Sequence, residues 1–268
     1  MGDDGGMDLG LNGKRALVTA ASGGLGFAIA EALAGEGARV ALCSRDADRA
    51  AGAAARITAA TGVEVNAFAA DVADAASLEA LFEAVLAALG GLDVLVNNAG
   101  GPPPGGFADL GEAQWARGFE LTLMSVVRSV RLALPAFETA GGGRVLTVMS
   151  SSVKQALPNL LLSNVYRPAL AGLTKSLAIE LGPKNVQVLG IAPGRIATQR
   201  TDELDRAAAE RTGRSFDSVR AASVATMPAG RLGDPDEFGR VGAFLCSPAA
   251  AYVSGSVVLV DGGSVRAL

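Results

Sequence analysis

Two stretches of this sequence gather side chains able to do chemistry. The first runs Thr19-Ala20-Ala21-Ser22-Gly23-Gly24-Leu25-Gly26, after a short apolar run and ahead of a helical pattern. A glycine-rich turn placed there lets backbone N–H groups approach a phosphate at a helix N-terminus, where the aligned peptide dipoles favour negative charge. The second comprises Ser150-Ser151-Ser152-Val153-Lys154 and Ser163-Asn164-Val165-Tyr166-Arg167, which offer hydroxyls, an ammonium, a phenol and a guanidinium. The chain has no histidine, which excludes imidazole acid–base chemistry and the usual zinc and iron sites, so no metal is expected. Proton transfer must use Tyr, Lys, Ser, a carboxylate or water.

The elements that position these groups are legible as short apolar or β-branched runs alternating with helical segments. Strands are expected at 15–19, 39–43, 63–69, 94–97, 144–149, 186–192 and 257–260. Such alternation predicts a Rossmann-type, doubly wound, parallel seven-stranded sheet with helices on both faces, in a single α/β domain over residues 11–268. Ligands of these sheets bind at the carboxyl ends of the strands. One polar stretch, residues 199–231, breaks the rhythm, with Arg200, Arg206, Arg211, Arg214 and Arg220 among acidic residues. Its position at the ligand end is that of a substrate lid; solvated surface helices are the plainer alternative.

At 268 residues, with 50% hydrophobic and 19% charged residues, the chain can bury the core of one large domain. A net charge of −4 gives no electrostatic footprint for nucleic acid or an anionic membrane. Cys43 and Cys246 are too few and too far apart for a disulfide framework, and are expected as reduced thiols. Residues 1–10 are expected as a disordered tail. Without a signal-like or membrane-spanning apolar run, the expected location is cytoplasmic.

Further motifs follow the strands in order: Asp71-Val72 after the third, Asn97-Asn98-Ala99-Gly100 after the fourth, Pro193-Gly194 after the sixth, and Asp261-Gly262-Gly263 after the seventh. This ordered set resembles the short-chain dehydrogenase/reductase superfamily from about Leu11 to Gly263, most closely its β-ketoacyl-carrier-protein-reductase-like members. The resemblance implies a nicotinamide dinucleotide cofactor. Ala20, Ser22, Gly24, Leu25 and Gly26 would form the pyrophosphate turn, Asp71 and Val72 would line the adenine, and Asn98, Ala99 and Gly100 the adenosine side. Pro193, Gly194, Ile196 and Thr198 would line the nicotinamide. Where the family carries its first glycine, this chain has Ala20. After the second strand, Ser44-Arg45 brings no carboxylate for a ribose 2′-hydroxyl, and Arg45 can pair with a 2′-phosphate. NADP(H) is therefore expected over NAD(H), with NAD(H) still accessible; Arg45 as a solvated residue ahead of the next helix is the alternative.

The resemblance also locates a departure. Aligning Gly172-Leu173-Thr174-Lys175 with the family's continuation puts Ser163 where the family has its catalytic Tyr and Arg167 where it has Lys. It puts Thr122 at the family's Asn, and Ser150 alone keeps the family residue. The subgroup suggested is thus divergent and lacks the Tyr-x-x-x-Lys pair. A serine hydroxyl is a far weaker acid than a phenol, so Tyr166 and Lys154 are expected to compensate, with Arg167 depressing the Tyr166 pKa. Tyr166 as a packing residue and Lys154 as a surface lysine are the alternatives. Pro168 predicts either a later helix start or a freed Asn164 carbonyl.

The activity implied is reduction of a small carbonyl compound, 3-oxoacyl-like and including acyl-thioesters, or oxidation of the matching alcohol, in a homo-oligomer, tetramer or dimer. A non-redox dehydratase, isomerase or lyase on the same scaffold, or a non-catalytic nucleotide-binding subunit, remain open.

Overall fold

A computed structural model describes residues 8–267. The seven strands are β1 (Arg15–Val18), β2 (Arg39–Ser44), β3 (Val65–Ala69), β4 (Val94–Asn97), β5 (Gly143–Val148), β6 (Val186–Pro193) and β7 (Val257–Val260). They form one sheet in the order β3-β2-β1-β4-β5-β6-β7. Every pairing is parallel, with Leu17 opposite Leu95 and Val18 opposite Val96 at the centre. The expected strands are all present. β3 starts at Val65 rather than Val63, because Gly62 caps the preceding helix and pairing with β2 begins only with Val65 opposite Val40. Most of the expected tail, residues 1–7, lies outside the described residues; Leu9 packs partly buried against the core.

The helices are α1 (Gly24–Gly35), α2 (Ala47–Thr61), α3 (Ala75–Leu89), α4 (Glu112–Phe119), α5 (Ser125–Ala140), α6 (Leu161–Leu181), α7 (Gln199–Thr212), α8 (Phe216–Val224) and α9 (Pro235–Cys246). Starts are set by short acceptor side chains: Asp46 accepts the Arg49 N–H at 3.0 Å, and Asp74 accepts the Ser77 N–H at 2.7 Å. One core lies under α1, α2 and α9, and a second lies under α3, α5 and α6. Each sheet face is therefore covered, which is why the central strands are apolar on both sides.

After β1 the chain winds toward β3 at one edge, and from β4 onward it winds toward β7 at the other. This reversal opens a crevice between the carboxyl ends of β1 and β4, where open α/β sheets bind ligands. α4 and α5 are joined through a π-helical turn, Glu120–Met124, which turns Thr122 inward to 1% exposure. The 199–231 excursion folds as α7 and α8. Asp205, 1% exposed, is held by both Arg195 and Arg220, and Arg220 also pairs with Asp202 at 2.6 Å. Part of that charge is internal cement rather than a solvated face.

Candidate active site

The β1–α1 turn is fastened to β4 by side chains on both strands. The Thr19 hydroxyl donates to the Asn98 carbonyl at 2.7 Å and accepts the Asn98 N–H at 2.8 Å, while the Asn98 amide donates to the Ala20 carbonyl at 2.9 Å. Gly26 makes this possible, since a Cβ there would lie 2.5 Å from Asn98 Nδ2. Gly26 is buried and supports the turn, whereas Gly23 and Gly24 are exposed at the start of α1. Ala20 holds a left-handed φ of 47°, a strained conformation for a residue with a Cβ. Leu25 and Ser22 are half-buried on the same turn.

Thr198 caps α7, accepting the Thr201 N–H, and its methyl lies 3.9 Å from where a Gly24 Cβ would stand. The N-termini of α1 and α7 therefore converge. Pro193 and Gly194 are half-buried at the end of β6, with the Gly194 N–H donating to Val260 at 2.9 Å. Ile196 departs from expectation: its side chain is 4% exposed and packs into the core beside Gly233, leaving only its backbone near the cleft.

At the adenine end, Arg45 is exposed just before the Asp46 cap of α2, and Ser44 is buried beneath it. Val72 is buried and Asp71 half-buried, with Ala99 half-buried and Gly100 exposed across the crevice. Arg117 of α4 pairs with Asp71 at 3.0 Å, a contact with no signal in the sequence motifs. Burial would raise the Asp71 pKa, but the Ala73 N–H and Arg117 outweigh it and hold the carboxyl below its usual value.

At the second stretch, Ser150 caps a short 3-10 turn and its Oγ accepts the Ser152 N–H at 3.1 Å. Ser152 Oγ lies 3.0 Å from Ser163 Oγ and also donates to the Ser163 carbonyl at 3.2 Å. Ser163 therefore contacts the turn that Ser150 caps. Ser152 was missed by the motif reading; the triple-serine run was its one signal. Arg167, one helical turn on, is 6% exposed and donates to the Val148 carbonyl at 2.6 Å. Burial, then the neighbouring Arg200, push its pKa down to about 10. Lys154 is exposed at the end of the turn.

Tyr166 goes elsewhere. It shares the stripe of α6 that carries Leu162, and both side chains meet α4 at Gly118, where a Cβ would come within 3.2 Å of each. The phenol donates to the Trp115 carbonyl at 3.0 Å, and its ring packs edge-on to Trp115. Burial raises its pKa, the opposite of the depression expected from Arg167. The structure thus gives the Tyr166 phenol a packing contact between α6 and α4, the alternative weighed for it in the sequence. α6 starts at Leu161 with Pro168 inside it, so the Asn164 carbonyl loses its helical donor. The Asn164 side chain clamps Leu157 through both its amide groups at 2.9 Å, fixing the loop after Ser150.

Arg167, Thr122, Asn97 and Asn98 line a cavity of about 10 Å³ beneath this site, roughly the room one water needs. Asn97 Nδ2, Thr122 Oγ1 and Arg167 Nε have no partner among the described residues. Exposed Gly23 and Gly24 at the convergence of two helix N-termini, and the free Nε of Arg167 at the strand ends, fit a dinucleotide laid across the crevice.

Comparison with known proteins agrees with this geometry. A family model described as enoyl-(acyl carrier protein) reductase matches residues 19–265. The 7alpha-hydroxysteroid dehydrogenase of Escherichia coli (strain K12) is 34% identical over 266 residues, 97% of this chain and 98% of that protein. The L-sorbose reductase of Gluconobacter frateurii, solved with NADPH and L-sorbose, superposes with a TM-score of 0.93 at 34% identity, covering 98% of this chain and 100% of the other. A 7alpha-hydroxysteroid dehydrogenase solved with NADH and 7-oxo glycochenodeoxycholic acid superposes with a TM-score of 0.86 at 34% identity, covering 97% and 98%. The chain belongs to the short-chain dehydrogenase/reductase superfamily.

Proposed function

We propose that this chain is an NADP(H)-dependent carbonyl reductase, able to use NAD(H) less well, whose proton delivery does not rely on the family's Tyr-x-x-x-Lys pair. Its two tyrosines, Tyr166 and Tyr252, are followed four residues on by Leu170 and Ser256, so no such pair exists in the sequence. The observation that carries the reading is the joining of a glycine-rich α1 turn to a serine–arginine cluster at the same strand ends. The relatives' own ligands, NADPH with a ketose and NADH with an oxo-steroid, support the reaction class.

When bound, a reduced nicotinamide supplies the hydride. Gly24 and Leu25 would hold the pyrophosphate through backbone N–H groups, Thr198 would line the nicotinamide, Asp71 and Val72 would flank the adenine, and Arg45 would pair with the 2′-phosphate. Ser150 Oγ accepts the Ser152 N–H, which leaves its own hydrogen free for a substrate carbonyl oxygen. Charge that grows on that oxygen is stabilised by Arg167, whose guanidinium stays protonated at neutral pH. Ser163 and Ser152 hold the turn in place. The proton given by Ser150 is replaced from water or from Lys154. α7 and α8 serve as the substrate lid.

The test is to add NADPH and NADH to the purified protein with ketoses, oxo-steroids and 3-oxoacyl thioesters, and to follow nicotinamide absorbance. Oxidation of NADPH in preference to NADH supports the reading. Tight nucleotide binding with no turnover of any carbonyl compound or alcohol would favour a non-redox or non-catalytic role.

A further inference from the structure

Arg167 is a buried guanidinium without a carboxylate. Among the described residues no acidic group lies within salt-bridge distance of it, its Nη1 is spent on the Val148 carbonyl, and its Nε has no partner. Burying an unpaired charge is costly unless something supplies the opposite sign.

A second guanidinium stands along the same loop. Arg200, two residues past Thr198 in the first turn of α7, donates to the Pro102 carbonyl at 3.1 Å. Its Nη2 and Nε lie 3.1 and 3.2 Å from where a Gly101 Cβ would stand. Arg167 meets the start of this loop at Asn98 and Ala99, lining the cavity there. Two arginines thus bracket residues 98–102, and Arg200 contributes repulsion to Arg167. Among the described residues the one carboxylate within salt-bridge distance of Arg200 is that of Glu203 at 3.7 Å, with both side chains 40% exposed or more, a pair worth little in water. In a chain whose overall charge is −4, these two guanidiniums thus have one exposed carboxylate between them within salt-bridge distance among the described residues.

We propose that the substrate carries an oxyanion group, a carboxylate or phosphate, which seats on Arg200 between α7 and the Gly101-Pro102 segment while its carbonyl faces Ser150. Arg167 adds the second positive charge from below. The proposal rests on the carbonyl-reductase reading and deepens it by naming the substrate class. A phosphate of the cofactor has the same chemistry as the proposed group, so the test separates the two sources. An anion seated there adds the attraction of opposite charges and bidentate geometry to what the neutral Pro102 carbonyl gives the Arg200 guanidinium.

The experiment has three arms. Malonate and inorganic phosphate are titrated by calorimetry into the protein with and without saturating NADPH, for the unmodified chain and for Arg200→Leu. NADPH affinity is measured for both proteins. Turnover of 3-oxobutanoate is compared with that of its methyl ester. The expected result is anion binding that Arg200→Leu weakens at least tenfold, NADPH affinity changed less than threefold, and kcat/KM for the acid at least tenfold above the ester, a preference lost in the variant. Loss of NADPH affinity in Arg200→Leu with anion binding unchanged would assign Arg200 to the cofactor and overturn the proposal. So would the absence of anion binding to the unmodified chain, or equal turnover of acid and ester. Failure of NADPH itself to bind would sink the reductase reading instead, and the titrations without nucleotide would still decide the anion site.

Discussion

The Tyr166 hydroxyl donates to the Trp115 carbonyl oxygen at 3.0 Å, so the phenol proton is directed into the contact between α6 and α4. Three residues earlier on α6, Ser163 faces Ser152 and the turn that Ser150 caps. Two adjoining stripes of the helix thus face two different neighbours, α4 and the serine turn.

Tyr166→Phe is therefore expected to change turnover less than about threefold while lowering stability by about 1 kcal/mol, the usual net value of one hydrogen bond. Ser150→Ala is expected to lower kcat by about a hundredfold, the scale for losing a positioned proton donor. Steady-state kinetics with thermal melts on both variants decide the matter. A hundredfold loss in Tyr166→Phe with an unchanged melting temperature would return the phenol to the reaction.

The strands and their parallel, doubly wound arrangement were legible because parallel central strands must be apolar on both faces and because most are followed by a motif at the carboxyl end. That Ser163 lies near the Ser150 turn was also expected from Gly172-Leu173-Thr174-Lys175 further along α6, and the Ser152–Ser163 contact agrees with that proximity. The place of Tyr166 was not legible. Helical periodicity gives its angle from Ser163, but only the absence of a side chain at Gly118 on another helix opens the space that receives the ring. Asp205 was hidden for a related reason: a charged residue in a polar run looks solvated until Arg195 and Arg220 are seen to close on it.

In the proposed reading cofactor choice turns on Arg45, which is exposed just past the end of β2. NADPH is expected to bind more tightly than NADH, and Arg45→Ala to remove most of the difference, about 1.5 to 3 kcal/mol or roughly 10- to 150-fold in Kd. Fluorescence titration of both nucleotides measures this directly; equal affinities in the unmodified chain would remove Arg45 from the site.

The phosphate turn makes opposite predictions at two neighbouring positions. Ala20 sits at φ 47°, where a side chain costs energy that glycine avoids, so Ala20→Gly is expected to stabilise by up to about 1 kcal/mol and raise Tm by about 2 °C. Gly26→Ala would force the Asn98 amide off the Ala20 carbonyl. It is expected to lower Tm and weaken NADPH binding at least tenfold. A Gly26→Ala protein with unchanged nucleotide affinity would show that the Asn98 clasp does not shape the turn.

Asp205 is the last test, because it links the excursion to β6. Its carboxylate is buried, whereas Arg195 and Arg220 keep about a third and a quarter of their side-chain surface exposed. Asp205→Asn leaves both guanidiniums without their shared counter-charge while preserving shape. Full burial of the pairs would put the cost at roughly 3 to 5 kcal/mol, and partial solvation of the arginines reduces it to about 2 to 3 kcal/mol. The loss should be local: faster amide exchange through α7 and α8, a raised KM for substrate, and little change in exchange at β1 and β4. Thr198 caps α7 at the cofactor cleft, so a modest fall in NADPH affinity should accompany it. Uniform loss of protection across the whole sheet would instead make Asp205 part of the global core, and α7 and α8 would then not move as a separable lid.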